Sequence, residues 1–142
     1  ALSKIEMPSI LFFLGILMTV AALESLGLIF NFGNSIIESG MNIDLFVVFL
    51  GAGSAVIDNV PLVAASIGMF QFPVDDHIWH FVAYAAGTGG SMLIIGSAAG
   101  VVAMGMEKID FFWYLKKISW IALIGFILGV ATFLIQHYFL NL

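Results

Sequence analysis

Residues 51–70, GAGSAVIDNVPLVAASIGMF, set a carboxylate (Asp58), an amide (Asn59) and a proline (Pro61) in the middle of an apolar run long enough to lie inside a membrane. An ionised side chain at bilayer depth costs about 2.5–3.5 kcal/mol even on lenient insertion scales, so Asp58 must face protein, water or an ion rather than lipid. Pro61 supplies no backbone N–H and clashes with the carbonyl four residues back, at Ile57, so a helix carrying it breaks or bends around Asp58-Asn59. Unwound backbone at membrane depth is tolerated only where it is buried in protein or lines a cavity, and in transporters it commonly marks the substrate site.

The rest of the composition agrees with a membrane setting. Of 142 residues, 62% are hydrophobic and 9% charged, and the mean hydropathy is +1.15. Soluble domains carry about 25% charged residues, so the fold class expected is all-α integral membrane, in contact with a lipid bilayer. The absence of cysteine removes disulfides, thiol catalysis and cysteine-ligated metals. His77, His80 and His137 are too scattered to make a zinc set. A net charge of −5 with only four basic residues argues against nucleic acid as a partner. No metal-binding pair, activated Ser-His set or phosphate loop points to an enzyme, and no cofactor is expected. The chain starts at Ala1 with no basic-then-apolar leader, so no signal peptide is read, and it is expected to be a piece of a longer protein.

Working outward, a helix is expected over 8–31, with Ser9 to Phe30 long enough to cross a bilayer at about 1.5 Å per residue. Glu24 is the one charge in that run. It reads either as a helix-end side chain snorkelling to the interface or as a proton site or a partner of one. Residues 31–42 (NFGNSIIESGMN) read as a polar loop. Residues 43–70 would stretch about 42 Å as one helix against a hydrocarbon core of about 30 Å, which suits a re-entrant hairpin of two arms better than one rod. After the acidic loop 71–77, residues 78–106 repeat the architecture as an interrupted helix, with Gly87-Thr88-Gly89-Gly90 as its break. Residues 107–117 carry three of the four lysines beside Trp113 and Tyr114, placed as interfacial aromatics. A closing helix follows over 114–140. The Gly96-x-x-x-Gly100 and Gly125-x-x-x-Gly129 spacings read as close-packing faces. If 43–70 is a hairpin, Lys4, Lys108, Lys116 and Lys117 all fall on one side of the membrane, as the positive-inside rule prefers, and both acidic loops and the C-terminus lie outside.

Were 43–57 a continuous helical arm, Ser54 and Asp58, four residues apart, would share a face and point at one ion. Asn59 adds an amide carbonyl, and Thr88 and Ser91 offer hydroxyls at the second break. Carboxylate, carbonyl and hydroxyl oxygens suit a hard cation such as Na⁺, and a protonatable carboxylate lets H⁺ compete for the same place. The plainer readings stand beside these. Ser54, Ser66, Ser91 and Ser97 also fit helix packing, Gly87, Gly89 and Gly90 fit an ordinary loop, Asp75 and Asp76 fit solvated loop charges, and His77 and His80 fit an interface. Asp58 has no comparably plain reading.

The combination Ser54-Ala-Val-Ile-Asp58-Asn59-Val-Pro61, followed by Gly87-Thr88-Gly89-Gly90-Ser91 and a closing helix, closely resembles the C-terminal part of NhaD-type sodium/proton antiporters. These belong to the ion transporter superfamily, which also holds arsenite permeases and divalent-anion/sodium symporters. The resemblance runs through essentially all 142 residues. It implies one half of an inverted-repeat fold: crossing helix, re-entrant hairpin with its tip at Asp58-Asn59, interrupted helix, closing helix. It implies Ser54, Asp58, Asn59, Thr88 and Ser91 as ion-site residues, with Na⁺ at Asp58 and Asn59. It further implies a partner half N-terminal to this one, a bacterial inner-membrane location, and a possible homodimer. The rival within the superfamily is an anion or oxyanion permease, whose members tend to carry a neutral residue where Asp58 stands. A non-transporting membrane assembly module is the rival outside it.

Overall fold

The computed structural model describes residues 7–140, and every regular element among them is helical. In chain order these are α1 (Met7–Ser25), α2 (Leu28–Glu38), α3 (Ile43–Gly53), α4 (Asn59–Met69), α5 (His77–Gly89), α6 (Ala98–Glu107), α7 (Phe111–Lys117) and α8 (Ser119–Leu140), with a 3-10 turn at Ile94–Gly96 between α5 and α6. Within α8, Ser119–Phe139 forms an unbroken helix long and apolar enough to cross a membrane, with a mean hydropathy of 2.0. The helices α3, α4 and α6 are apolar but too short to cross. Lys4 lies outside the described residues.

The first apolar run is not one rod. Gly27 takes φ +70°, a left-handed conformation that glycine adopts at no steric cost. Its N–H donates to the Glu24 carbonyl, closing α1, and α2 departs at 65°. Residues 31–38, expected as loop, are helical in α2. The Asn, Gly and Ser content suggested a loop, but Ile29, Gly33 and Ile36 fall at helical spacing and are buried. Gly33 lies so close to the Met69 backbone that a methyl there would collide with it. The small residue is therefore what lets α2 dock on the end of α4.

The core lies between α3, α5 and α8, where Val47, Phe81, Val82, Ala85, Phe126 and Val130 are buried. In lipid the unpacked alternative is equally apolar, so these side chains hold the helices together through close van der Waals packing rather than through removal from water. The Phe81 ring stacks on Phe133 at 4.5 Å. The Tyr84 hydroxyl donates to the Gly125 carbonyl at 3.3 Å, and its ring covers Gly129. The Gly125-x-x-x-Gly129 face thus seats a tyrosine from α5 within the chain.

The ends of the helices fix the arrangement of the two arms of 43–70. Phe46, in the first turn of α3, meets Phe70, just past α4, with ring centroids 5.7 Å apart. The same end holds Asp44 of α3 and His77 of α5, 3.8 Å apart, and His137 of α8, stacked on His77. So α3 begins where α4 ends, with the Ser54–Asp58 turn at the far tip. Lys116 and Lys117 stand at the other end of α8, about 30 Å away at 1.5 Å per residue.

Candidate functional site

The tip between the arms is built from a helix end and a helix start. Successive N–H groups of Ser54, Ala55, Val56 and Ile57 bond back to the last turn of α3, closing it. Ser54 is fully buried, and its hydroxyl donates to the Ala86 carbonyl of α5 at 2.7 Å. Asp58, half-buried, caps the start of α4: its Oδ1 accepts from the Val60 N–H at 3.1 Å, while Oδ2 accepts from the Ala98 N–H at 3.2 Å. Ser54 and Asp58 therefore do not share one helix face, because α3 stops at Gly53 and each residue serves a different helix. Pro61 sits in the first turn of α4, where its missing N–H leaves nothing unsatisfied. Asn59, beside it, is half-buried and makes no side-chain hydrogen bond among the described residues.

The second break begins later than its glycines suggest. Helix α5 continues through Gly87 and Thr88 to Gly89 and is capped by Gly90, and the irregular stretch runs from Gly90 to Ser97. Gly89 is a contact residue: a methyl there would strike the Gly51 carbonyl, and one on Gly51 would lie 2.8 Å from the Ala85 carbonyl. The pair lets α3 and α5 cross backbone to backbone. Thr88 donates to the Tyr84 carbonyl at 2.7 Å and Ser91 to the Thr88 carbonyl at 2.6 Å. The Tyr114 hydroxyl of α7 donates to the Ser91 carbonyl at 2.8 Å. Ser97 then caps α6 by accepting from the Gly100 N–H at 3.0 Å.

The two breaks meet. A methyl on Gly96 would lie 2.5–2.8 Å from the carbonyl oxygens of Gly90, Ala55 and Ser54, so these three oxygens converge on one glycine. The region thus joins the C-terminal, oxygen-presenting ends of α3 and α5 to the N-terminal, N–H-presenting ends of α4 and α6. Asp58 lies at the latter pair, where partial positive charge favours a carboxylate. A hydroxyl that donates its proton to a carbonyl keeps its lone pairs, so the Ser54, Thr88 and Ser91 oxygens retain acceptor capacity. Asp58 makes no hydrogen bond to Thr88 or Ser91; its tie to the second segment runs through Ala98. Glu24 is exposed, packs its carboxyl near Gly68, and forms no ion pair or hydrogen bond among the described residues. Among those residues no three His, Cys, Asp or Glu side chains cluster as a transition-metal site. Sequence reasoning passed over Ala98, and read Gly96 as part of a close-packing face and Tyr114 as an interfacial aromatic rather than as parts of this junction. A capping serine at Ser97 ahead of an apolar run was the available signal for the α6 start.

Over nearly its whole length the chain matches several proteins named as sodium/proton antiporters, and two named only as uncharacterized transporters. It is 50% identical over 140 residues to sodium/proton antiporter 1 of Arabidopsis thaliana, covering 96% of this chain and 24% of that protein. With sodium/proton antiporter 2 of the same plant it is 47% identical, covering 98% and 34%. With the Na⁺/H⁺ antiporter NhaD of Alkalimonas amylolytica it is 36% identical over 141 residues, covering 98% and 28%. The chain is homologous to part of the NhaD-type sodium/proton antiporters. It spans a quarter to a third of the length of these relatives. The NhaD relatives are named as transporters, not enzymes. No family model matches the chain, and no solved structure matches it.

Proposed function

We propose that this chain is the ion-binding half of a secondary transporter that exchanges Na⁺, or Li⁺, for H⁺ by alternating access. The carrying observation is the position of Asp58, a half-buried carboxylate that caps α4 and also accepts from the Ala98 N–H, where the two interrupted segments meet. The names of the relatives favour a cation over the anion of the rival permeases. A fixed negative charge at the site argues the same way, since it repels an anion and attracts a cation.

In this reading Asp58 releases its proton when Na⁺ arrives and regains one when Na⁺ leaves. Neither species occupies the carboxylate with the other, and that exclusion couples the two fluxes. Asn59, free of side-chain partners, supplies a carbonyl beside Asp58; Ser54, Thr88 and Ser91 complete the oxygen set as the segments close. The arms α3 and α4 act as a re-entrant hairpin, supported by the meeting of Phe46 with Phe70 at one end of the molecule. The ion site is completed by the partner half of an inverted repeat, so this chain by itself does not transport. The membrane is an ion-tight one, the bacterial inner membrane being the instance expected from the sequence. The lysine-bearing end lies inside and the C-terminus outside.

The test is Asp58→Asn in the full-length transporter, assayed for Na⁺-driven proton movement in everted vesicles. Loss of exchange is expected, and near-normal exchange refutes the assignment.

A further inference from the structure

The junction of α7 with α8, at the lysine-bearing end, borders a groove of about 440 Å³ lined by Leu115, Lys116, Ser119, Trp120 and Leu123. These residues recur at helical spacing, so the groove follows one face of the chain across the junction. The helical ladder loosens there. The Ile118 N–H donates to the Tyr114 carbonyl at 2.8 Å, while the N–H groups of Ile121 and Ala122 both return to the Ile118 carbonyl at 3.0 Å. Leu123 lies a turn past Ser119 in the apolar span Ser119–Phe139, so the groove runs from the basic end toward membrane depth. The Ser119 hydroxyl oxygen is buried and has no hydrogen-bond partner. Every other described serine or threonine side chain bonds to the backbone. The Lys116 ammonium and the Trp120 indole N–H, on exposed residues, likewise form no ion pair or hydrogen bond among the described residues. Three donors therefore border the groove, and no carboxylate lines it. Of the acids nearest in sequence, Asp110 caps the far end of α7 through the Trp113 N–H, and Glu107 ends α6.

We propose that this groove binds an anionic phospholipid, with the headgroup phosphate on Lys116 and an acyl chain laid along Leu115 and Leu123. A lysine ammonium is a compact point charge suited to a phosphate oxygen. With a change of χ1 rotamer, the Ser119 hydroxyl gains in that phosphate the acceptor it otherwise lacks. Trp120 is amphipathic: at an interface its ring lies against chains while its N–H reaches the headgroup. A soluble phosphate would suit the three donors but leave Leu115 and Leu123 uncovered, whereas a lipid satisfies both parts of the groove. Its volume falls within the range of about 300–1,000 Å³ common for ligand sites. In the proposed topology this end meets the inner leaflet, whose anionic lipids attract basic groups. The site does not depend on Asp58 or on the ion exchanged.

The test is lipid binding, so it stands or falls apart from the antiport reading. The full-length transporter is placed in phosphatidylcholine vesicles that carry, at equal mole fraction, either phosphatidylglycerol or phosphatidylcholine brominated on its acyl chains as a quencher of tryptophan fluorescence. The Trp120 signal is the difference between each protein and its Trp120→Phe counterpart. In the wild type, brominated phosphatidylglycerol should quench with about fivefold higher apparent affinity, the advantage of one lysine near an anionic surface. Lys116→Gln should bring the two lipids to parity, Ser119→Ala should reduce the preference, and Lys108→Gln should leave it unchanged. Unaltered quenching by brominated phosphatidylcholine shows that each variant is still folded around Trp120. Equal quenching by both lipids in the wild type would overturn the proposal, as would quenching by neither, the result if another part of the transporter covers the groove. An equal loss in Lys108→Gln would replace the site with diffuse charge attraction. Displacement of the lipid by inorganic phosphate at fixed ionic strength would make the ligand a soluble anion. A preference kept in both Lys116→Gln and Ser119→Ala would likewise contradict it.

Discussion

Gly89 and Gly87 are two residues apart in one helix, yet their missing side chains do different things. At Gly89 a methyl meets the Gly51 carbonyl, whereas at Gly87 it meets nothing within 4 Å. Gly89→Ala should therefore destabilise the transporter by about 1–3 kcal/mol, the usual cost of overpacking a close contact. Gly87→Ala should be neutral or slightly stabilising, since alanine is the better helix former by about 1 kcal/mol. Thermal unfolding of the two variants in detergent checks this, and equal losses would contradict the backbone crossing. The same pair shows what sequence reading reaches at this scale. The helix break at Asp58 was legible because a charge and a proline interrupt an apolar run there. Gly89 was not, because a glycine that unwinds a helix and one that admits a neighbour look identical in sequence.

Among the elements, the two arms of 43–70 were legible from length alone, since one helix would overshoot the bilayer. Helix α2 was not, because its buried stripe of Ile29, Gly33 and Ile36 is narrow and flanked by loop-forming residues. Pro61 gave the place of the first break, and its role is now more limited than its chemistry suggested. Helix α4 starts two residues before it, capped by Asp58, while Ser54 ties the end of α3 to α5. Pro61→Ala should therefore leave the tip in place. The expected change is under about 1 kcal/mol in stability, the range of proline substitutions that act through the unfolded chain. Unfolding measurements on Pro61→Ala would contradict this if the loss approached the several kcal/mol expected of a break that proline alone maintains. The His77–His137 stack had no signal in the sequence at all, since sixty residues separate partners that only the packing of α5 on α8 brings together.

At the scale of the molecule, charge is divided between the ends: Asp44, Asp75 and Asp76 at one, Lys116 and Lys117 at the other. In the proposed topology the positive-inside rule places the lysine-bearing end inside. This chain has no native cysteine, so Asp75→Cys and Lys117→Cys are unambiguous labels within it. An impermeant thiol reagent applied from outside should modify the first and spare the second in a background without other reactive cysteines. The reverse pattern, or labelling of both from one side, would contradict the proposed topology. The most direct measurement of the central claim is calorimetric. When Na⁺ binds the purified full-length transporter, protons should be released, and the apparent Na⁺ affinity should fall as the pH is lowered. In Asp58→Asn that proton release should vanish. Release of protons by Asp58→Asn in the same amount as the wild type would place the competition between Na⁺ and H⁺ elsewhere.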